Sequence, residues 1–209
     1  MPKIDLKTTR RDYWTAPVGD FVVRDVPRYT FAMVDGEGNP NTAAAYQAAV
    51  SGLYRVSYKL KFMSKARGRD YVVPPLQGLW WADDMSDFLT RRKDRWRWTM
   101  MLMQPDWIDA AAFEEALNAL RAQAEMPVSL RLAPFDEGCA VQTLHIGPYD
   151  DEGPTIKRLH EEYLPANGLT ENGKHHEIYL SDPRRTDATR LKTILRQPVR
   201  VLLPEDKTR

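Results

Sequence analysis

Apolar and polar positions alternate along this chain in two rhythms, one of strands and one of helices, and the two come in a repeated order. Phe21-Val22-Val23 and Tyr29 to Val34 read as strands, closed by the turn Asp35-Gly36-Glu37-Gly38. Asn39 then stands as the expected cap of a helix with Pro40 at its first position. Tyr46, Val50, Leu53, Tyr54 and Ser57 recur at helical spacing until Arg67-Gly68-Arg69 stops them. Tyr71 to Val73 predicts a short strand, Pro74-Pro75 a break, and Gly78 to Ala82 a strand carrying Trp80 and Trp81. Arg95 to Met103 becomes apolar on both faces, the pattern of a central strand.

The second half repeats the order. Asp106 is expected to cap a helix from Trp107 to Glu125, with Ile108, Phe113, Leu117 and Leu120 as its buried stripe. Val128 to Leu132 and Ala140 to Ile146 read as strands about a Pro134 to Gly138 turn. From Gly153-Pro154 to Asn167-Gly168 runs a helix with Ile156, Leu159, Tyr163 and Leu164 on one face. The strand Glu177-Ile178-Tyr179-Leu180 follows, then strand candidates at Lys192 to Leu195 and Pro198 to Leu203, and a polar tail from Pro204 expected to be loose. Side chains alternate across a strand, so Ile178 and Leu180 packed under the helix would leave Glu177 and Tyr179 on the other face.

The pattern therefore predicts an α+β fold, a tandem repeat of strand-helix-strand-strand units with antiparallel sheets and helices on one face. The expected boundaries are an N-terminal arm at 1–20, repeats at about 21–104 and 105–203, and a tail at 204–209. The arm carries Tyr13-Trp14, an aromatic pair suited to tucking onto the fold. If helices cover one face of each sheet, the other faces must meet, close on each other or hold a ligand.

Composition narrows the classes. With 209 residues, 43% of them hydrophobic and 28% charged, the chain has the makings of an ordinary globular core. A single cysteine, Cys139, excludes an intrachain disulfide. The start Met1-Pro2-Lys3-Ile4-Asp5 lacks the apolar run of a signal peptide, and no stretch reaches the roughly eighteen apolar residues of a membrane span. A cytoplasmic protein without a membrane partner is the expectation. A net charge of +1 gives no global field for nucleic acid, and the basic runs at Arg91-Arg92-Lys93 to Arg97 and at Arg184 to Arg200 read as solvated faces.

One ordered set of motifs goes further. A strand, Gly147-Pro148-Tyr149, a helix, Asn167-Gly168, Glu177-Ile178-Tyr179 and Asp182-Pro183-Arg184-Arg185 follow one another over about forty residues. In this order they resemble the GyrI-like (gyrase-inhibitor-like) small-molecule-binding domain, related to the effector-binding domains of multidrug-responsive regulators. The resemblance implies two units about a pseudo-twofold axis with a ligand cleft between them, and it matches Glu177 to the family's ligand-facing glutamate. In those regulators a DNA-binding helix-turn-helix comes first; the residues before Phe21 are too few for one, so no direct DNA binding is expected. Some stand-alone members of the family are cyclopropanoid cyclopropyl hydrolases, which open the cyclopropane of DNA-alkylating natural products by adding water.

The residues themselves suit both uses. Trp80, Trp81, Trp98, Tyr149 and Tyr179, with Met100 as adaptable filler, offer flat aromatic walls, although each tryptophan also reads as a core residue. Glu177 offers a charge. Together they predict a site for a planar, hydrophobic or cationic xenobiotic or toxin. The alternative is a hydrolase in which Glu177 is the general base on a water and Tyr149 or Tyr179 donates to the oxygen where charge develops. No cofactor and no metal are expected: His145, His175, His176 and Cys139 lack the spacing of a known site. Ser181 and Cys139 lack the context of a covalent nucleophile, and the sequence specifies no protein partner.

Overall fold

A computed structural model describes residues 2–84 and 92–203. Arg91 of the first basic run and the tail at 204–209 lie outside the described residues. In chain order the first elements are α1 (Leu6–Thr9), β1 (Val22–Val26), β2 (Tyr29–Glu37), α2 (Ala44–Ala66), β3 (Gln77–Trp81) and β4 (Arg97–Gln104). Then come α3 (Ala110–Arg121), β5 (Arg131–Phe135), β6 (Gly138–Ile146), α4 (Gly153–Arg158), α5 (Leu164–Ala166), β7 (Leu169–Glu171), β8 (His175–Tyr179) and β9 (Lys192–Val201). The fold is α+β, and its strand pairs are antiparallel. No helix among the described residues is long and apolar enough to cross a membrane.

The chain forms two compact units that are not consecutive halves: residues up to Arg11 join Arg28–Asp136, and Asp12–Pro27 joins the chain from Glu137 on. The exchange follows from strand pairing. β1 pairs with β6 and β5 with β2, so each strand leaves the repeat to which the sequence pattern assigned it.

In the first unit the strand order is β3-β4-β2-β5. β4 is buried along nearly its whole length, as its two apolar faces predict. α2 turns Ala49, Leu53, Val56 and Leu60 inward and ends at Ala66, followed by Gly68, whose φ of 86° suits the turn that closes the helix. Beneath it lies Trp98, fully buried, with Tyr46 edge-on at 5.2 Å between ring centres. A Cβ on Gly36 would come within 2.1 Å of the Trp98 ring, so that glycine is the floor under the indole.

Several boundaries differ from the sequence pattern, each for a local reason. Asn39 spends its side chain on the Asn41 N–H within a separate turn, and α2 starts at Ala44 without a side-chain cap. The second helix is capped by Asp109, which accepts from Ala112 N, whereas Asp106 pairs with Arg10. Tyr71 makes only an isolated bridge to Ile4 rather than a strand. The expected strand at Val128 shifts to Arg131–Phe135, leaving Val128 98% exposed. Among the described residues β5 pairs only with β2, and such an edge strand tolerates Pro134.

In the second unit the order is β1-β6-β9-β8, with β7 also on β9. The two last strand candidates are one continuous strand, β9, which runs through Pro198. Between α4 and α5 the helix widens into a π-helical turn, Leu159–Tyr163, just before Pro165, which has no N–H for the regular ladder. Leu159 and Leu164 pack with Val141 and Val199 against Phe21, Tyr163 and Leu169. Just past β8, Asp182 takes the guanidinium of Arg184 in a two-point pair at 3.0 and 2.9 Å.

Candidate functional site

Register fixes which face carries Glu177. Val141 lies opposite Gln197, Leu195 opposite Glu177, and Thr193 opposite Tyr179. Paired residues share a face and alternate residues return to it, so Glu177 and Tyr179 stand on the side of Val141, the side covered by the Leu159–Leu164 helix. This corrects the expectation that the helix covers Ile178 and leaves Glu177 on the opposite side.

The opposite face is filled by a buried polar cluster. Glu137 accepts from Arg196 at 2.8 Å and meets His176 Nδ1 at 2.7 Å. Arg196 also donates to Gln142 and to the Tyr13 carbonyl, with the Tyr13 ring 4.2 Å from its guanidinium. Gln142 in turn donates to the carbonyls of Asp12 and Thr15, so the arm containing Tyr13 and Trp14 is tied down as a lid on this face. Burial alone would raise the Glu137 pKa, but the charges and hydrogen bonds of His176 and Arg196 win and hold it down at about 2. Burial lowers the His176 pKa, against the pull of Glu137.

On the helix side, the Tyr179 hydroxyl donates to Glu177 Oε2 at 2.7 Å. The Tyr149 ring meets the Tyr179 ring edge-on, 5.5 Å between centres, and Tyr149 is 38% exposed. The Glu177 side chain keeps 16% of its surface. His175, two residues earlier on the same face, holds Nε2 3.8 Å from Glu177 Oε1, and among the described residues neither ring nitrogen has a well-aligned hydrogen-bond partner. Burial, then the nearby His160 and His176, push its pKa down to about 3, so it is a neutral imidazole. Glu177, Tyr149 and Tyr179 thus come together as the sequence suggests.

The remaining candidates belong to the first unit. Trp98 and Met100 are fully buried and Trp80 nearly so, all in the layer that α2 covers; Trp81 is half-buried. A recess of about 300 Å³ in that unit, lined in part by Leu60, Met63, Ser64, Arg69 and Trp107, contains none of the candidate residues. Among the described residues no three His, Cys, Asp or Glu side chains converge as a metal site.

Glu152 is the residue that sequence reasoning missed. It sits at the start of α4, 4% exposed, beside Thr193 and close enough to Glu177 for the two charges to oppose each other. An acid at a helix start is so common that its position gives no signal. Only the register bringing Thr193 opposite Tyr179 reveals it.

The model of the GyrI-like small molecule binding domain matches residues 20–200. The chain belongs to this family. Among solved structures, an uncharacterized conserved protein from Listeria innocua shares 36% identity, with a TM-score of 0.84 over 95% of this chain and 100% of that one. A hydrolase from Listeria innocua is similar at 36% identity and a TM-score of 0.80, with the same coverage. The EcmrR C-terminal domain, at 12% identity and a TM-score of 0.56 over 88% of this chain and 98% of that one, shares the fold. No curated protein sequence matches the chain significantly. As a GyrI-like protein it carries a small-molecule-binding domain.

Proposed function

We propose that this GyrI-like protein binds a planar, electrophilic organic molecule on the Glu177–Tyr179 face and hydrolyses it by adding water, with Glu177 as the general base. The observation that carries this reading is the 2.7 Å hydrogen bond from the Tyr179 hydroxyl to a half-buried Glu177 carboxylate. A carboxylate fixed at one oxygen has a defined direction for taking a proton from water. The similarity to a hydrolase from Listeria innocua supports chemistry as well as binding.

Tyr149, at the exposed edge of the same aromatic pair, is the donor proposed to meet the oxygen on which negative charge develops. The substrate class is the one the family resemblance implies, DNA-alkylating cyclopropanoids. Water adds its oxygen to a cyclopropane carbon, the strained C–C bond breaks, and the electron pair moves into the conjugated carbonyl, whose oxygen takes up a proton. Glu177 receives the proton that the water gives up. The cytoplasm, where DNA lies exposed to such alkylators, is the proposed location.

The test is incubation of the protein with a cyclopropanoid alkylator, followed by mass analysis. Ligand plus one water, released over many turnovers and lost in Glu177→Gln, is the expected result. Unchanged ligand held in stoichiometric amount overturns hydrolysis in favour of sequestration.

A further inference from the structure

The second unit buries two glutamates in opposite settings. Glu137 meets Arg196 and His176 and is a stable anion. Glu152 is 4% exposed, and among the described residues the groups that bear on its charge are carboxylates or uncharged. Glu177 acts on it from β8, Asp150 from the preceding turn, and Thr193 from β9. His145, opposite Thr193 in register, turns its Nε2 to the Pro148 carbonyl at 3.1 Å. Glu152 Oε1 has no hydrogen-bond partner. Thr193 Oγ1 lies beside the carboxyl without the alignment of a good bond. Nor does the side chain cap α4, although its backbone carbonyl accepts from Ile156.

We propose that Glu152 is the second carboxyl of the Glu177 site, held as a neutral acid near neutral pH, so that the pair carries one negative charge, and that it sets the alkaline limit of the site. The physical argument is the cost of a buried charge. An unpaired carboxylate in low dielectric takes up a proton rather than remain charged, and a second carboxylate nearby adds to that pressure. Burial first, and Glu177 second, push Glu152 up to about 10. Two carboxyls whose surroundings drive their protonation apart form one titrating system. As pH rises and Glu152 ionises, the site gains a second negative charge, which opposes the charge developing on a substrate. Glu152 acts through the field at Glu177 and is a positioning residue. That role rests on the reading of Glu177 as a base, whereas its protonation does not.

Isotope-edited infrared spectroscopy tests the protonation without any substrate. A carboxylic-acid C=O band is expected near neutral pH in the wild type, absent in Glu152→Gln. In Glu177→Gln the same band must persist and titrate at lower pH, because the neighbouring charge is gone. A wild type without the band, or a titration unmoved by Glu177→Gln, overturns the proposal, and this second arm holds even where Glu152→Gln does not fold. With a cyclopropanoid as substrate, and each pH–rate profile scaled to its own maximum, Glu152→Gln is expected to lose the alkaline fall seen in the wild type. An unaltered profile overturns the positioning role. Absence of turnover in the wild type defeats the hydrolase reading alone, since the infrared band still decides the state of Glu152.

Discussion

The Tyr179 hydroxyl reaches back along its own strand to Glu177 Oε2, 2.7 Å away, joining two residues that alternation places on one face. This bond gives Glu177→Gln a clear meaning. Glutamine keeps the shape of the side chain and an oxygen to accept from Tyr179 but has no basicity. Ligand binding should persist while turnover falls by roughly 10²- to 10⁴-fold, the range for a lost general base. Single-turnover kinetics with a cyclopropanoid measure both. Full turnover in the variant rules Glu177 out as the base.

Tyr179→Phe removes the donor and leaves the ring against Tyr149. A hydrogen bond to a charged group contributes about 1.5–3 kcal/mol, so the carboxylate should become easier to protonate once it is lost. The acid limb of the pH–rate profile is expected to move to higher pH, with little change in melting temperature. A profile that stays in place means the hydroxyl does not stabilise the carboxylate charge.

How much of this was readable beforehand depends on the range of the interaction. β2, β4, β6 and β8 were legible because apolar spacing is local, and ordered motifs single out Glu177, Tyr179 and Tyr149, which the structure brings within reach of one another. The covered face of β8 was not. Ile178 looked like the residue beneath the helix, yet it shares its face with His176, whose burial depends on Glu137 and Arg196 far along the chain. The exchange of β1 and β5 was hidden for the same reason, since pairing partners leave no trace in a strand's own residues.

Trp98 tests the division between core and site. Its ring is sealed under α2, meets Tyr46 edge-on and rests on Gly36, and its indole N–H donates to the Gly38 carbonyl at 3.2 Å. Trp98→Ala should cost about 3–5 kcal/mol in urea unfolding, as large core truncations do. Gly36→Ala should also destabilise the fold, because its Cβ lands on the ring. A Trp98→Ala protein of unchanged stability with altered ligand affinity would move Trp98 from the core to the site.

The buried cluster of the second unit predicts a strong effect from a small change. Glu137→Gln leaves the fully buried Arg196 guanidinium without its counter-charge. Breaking one side of such a pair costs about 3–5 kcal/mol. Replacing both partners, as in Glu137→Leu with Arg196→Met, should cost less than the sum of the two single changes, and a double-mutant cycle in urea reads the difference. Additive losses would show that the two side chains are not coupled.

The pH dependence of stability combines groups of opposite sign. The Glu137 pKa lies at about 2 in the fold against an ordinary 4.5, so its contribution is complete above 4.5 and is lost as pH falls towards 2. His175 titrates at about 3 in the fold against 6.5, because burial opposes its charge. Below pH 6.5 the unfolded chain takes a proton that the folded imidazole refuses, and stability falls until about pH 3. Glu152 works the other way: raised to about 10, it favours the fold fully below 4.5, and that contribution is lost as pH rises to about 10. Melting temperature should therefore decline on both sides of a maximum. His175→Phe isolates one part of this curve, since phenylalanine has no proton to exchange and no unpartnered ring nitrogens. The variant is expected to lose less stability than the wild type between pH 6.5 and 3, with the two curves running parallel above pH 7. Parallel curves over the whole range would mean that His175 is protonated in the fold, and that Glu177, 3.8 Å away, then has a cationic neighbour.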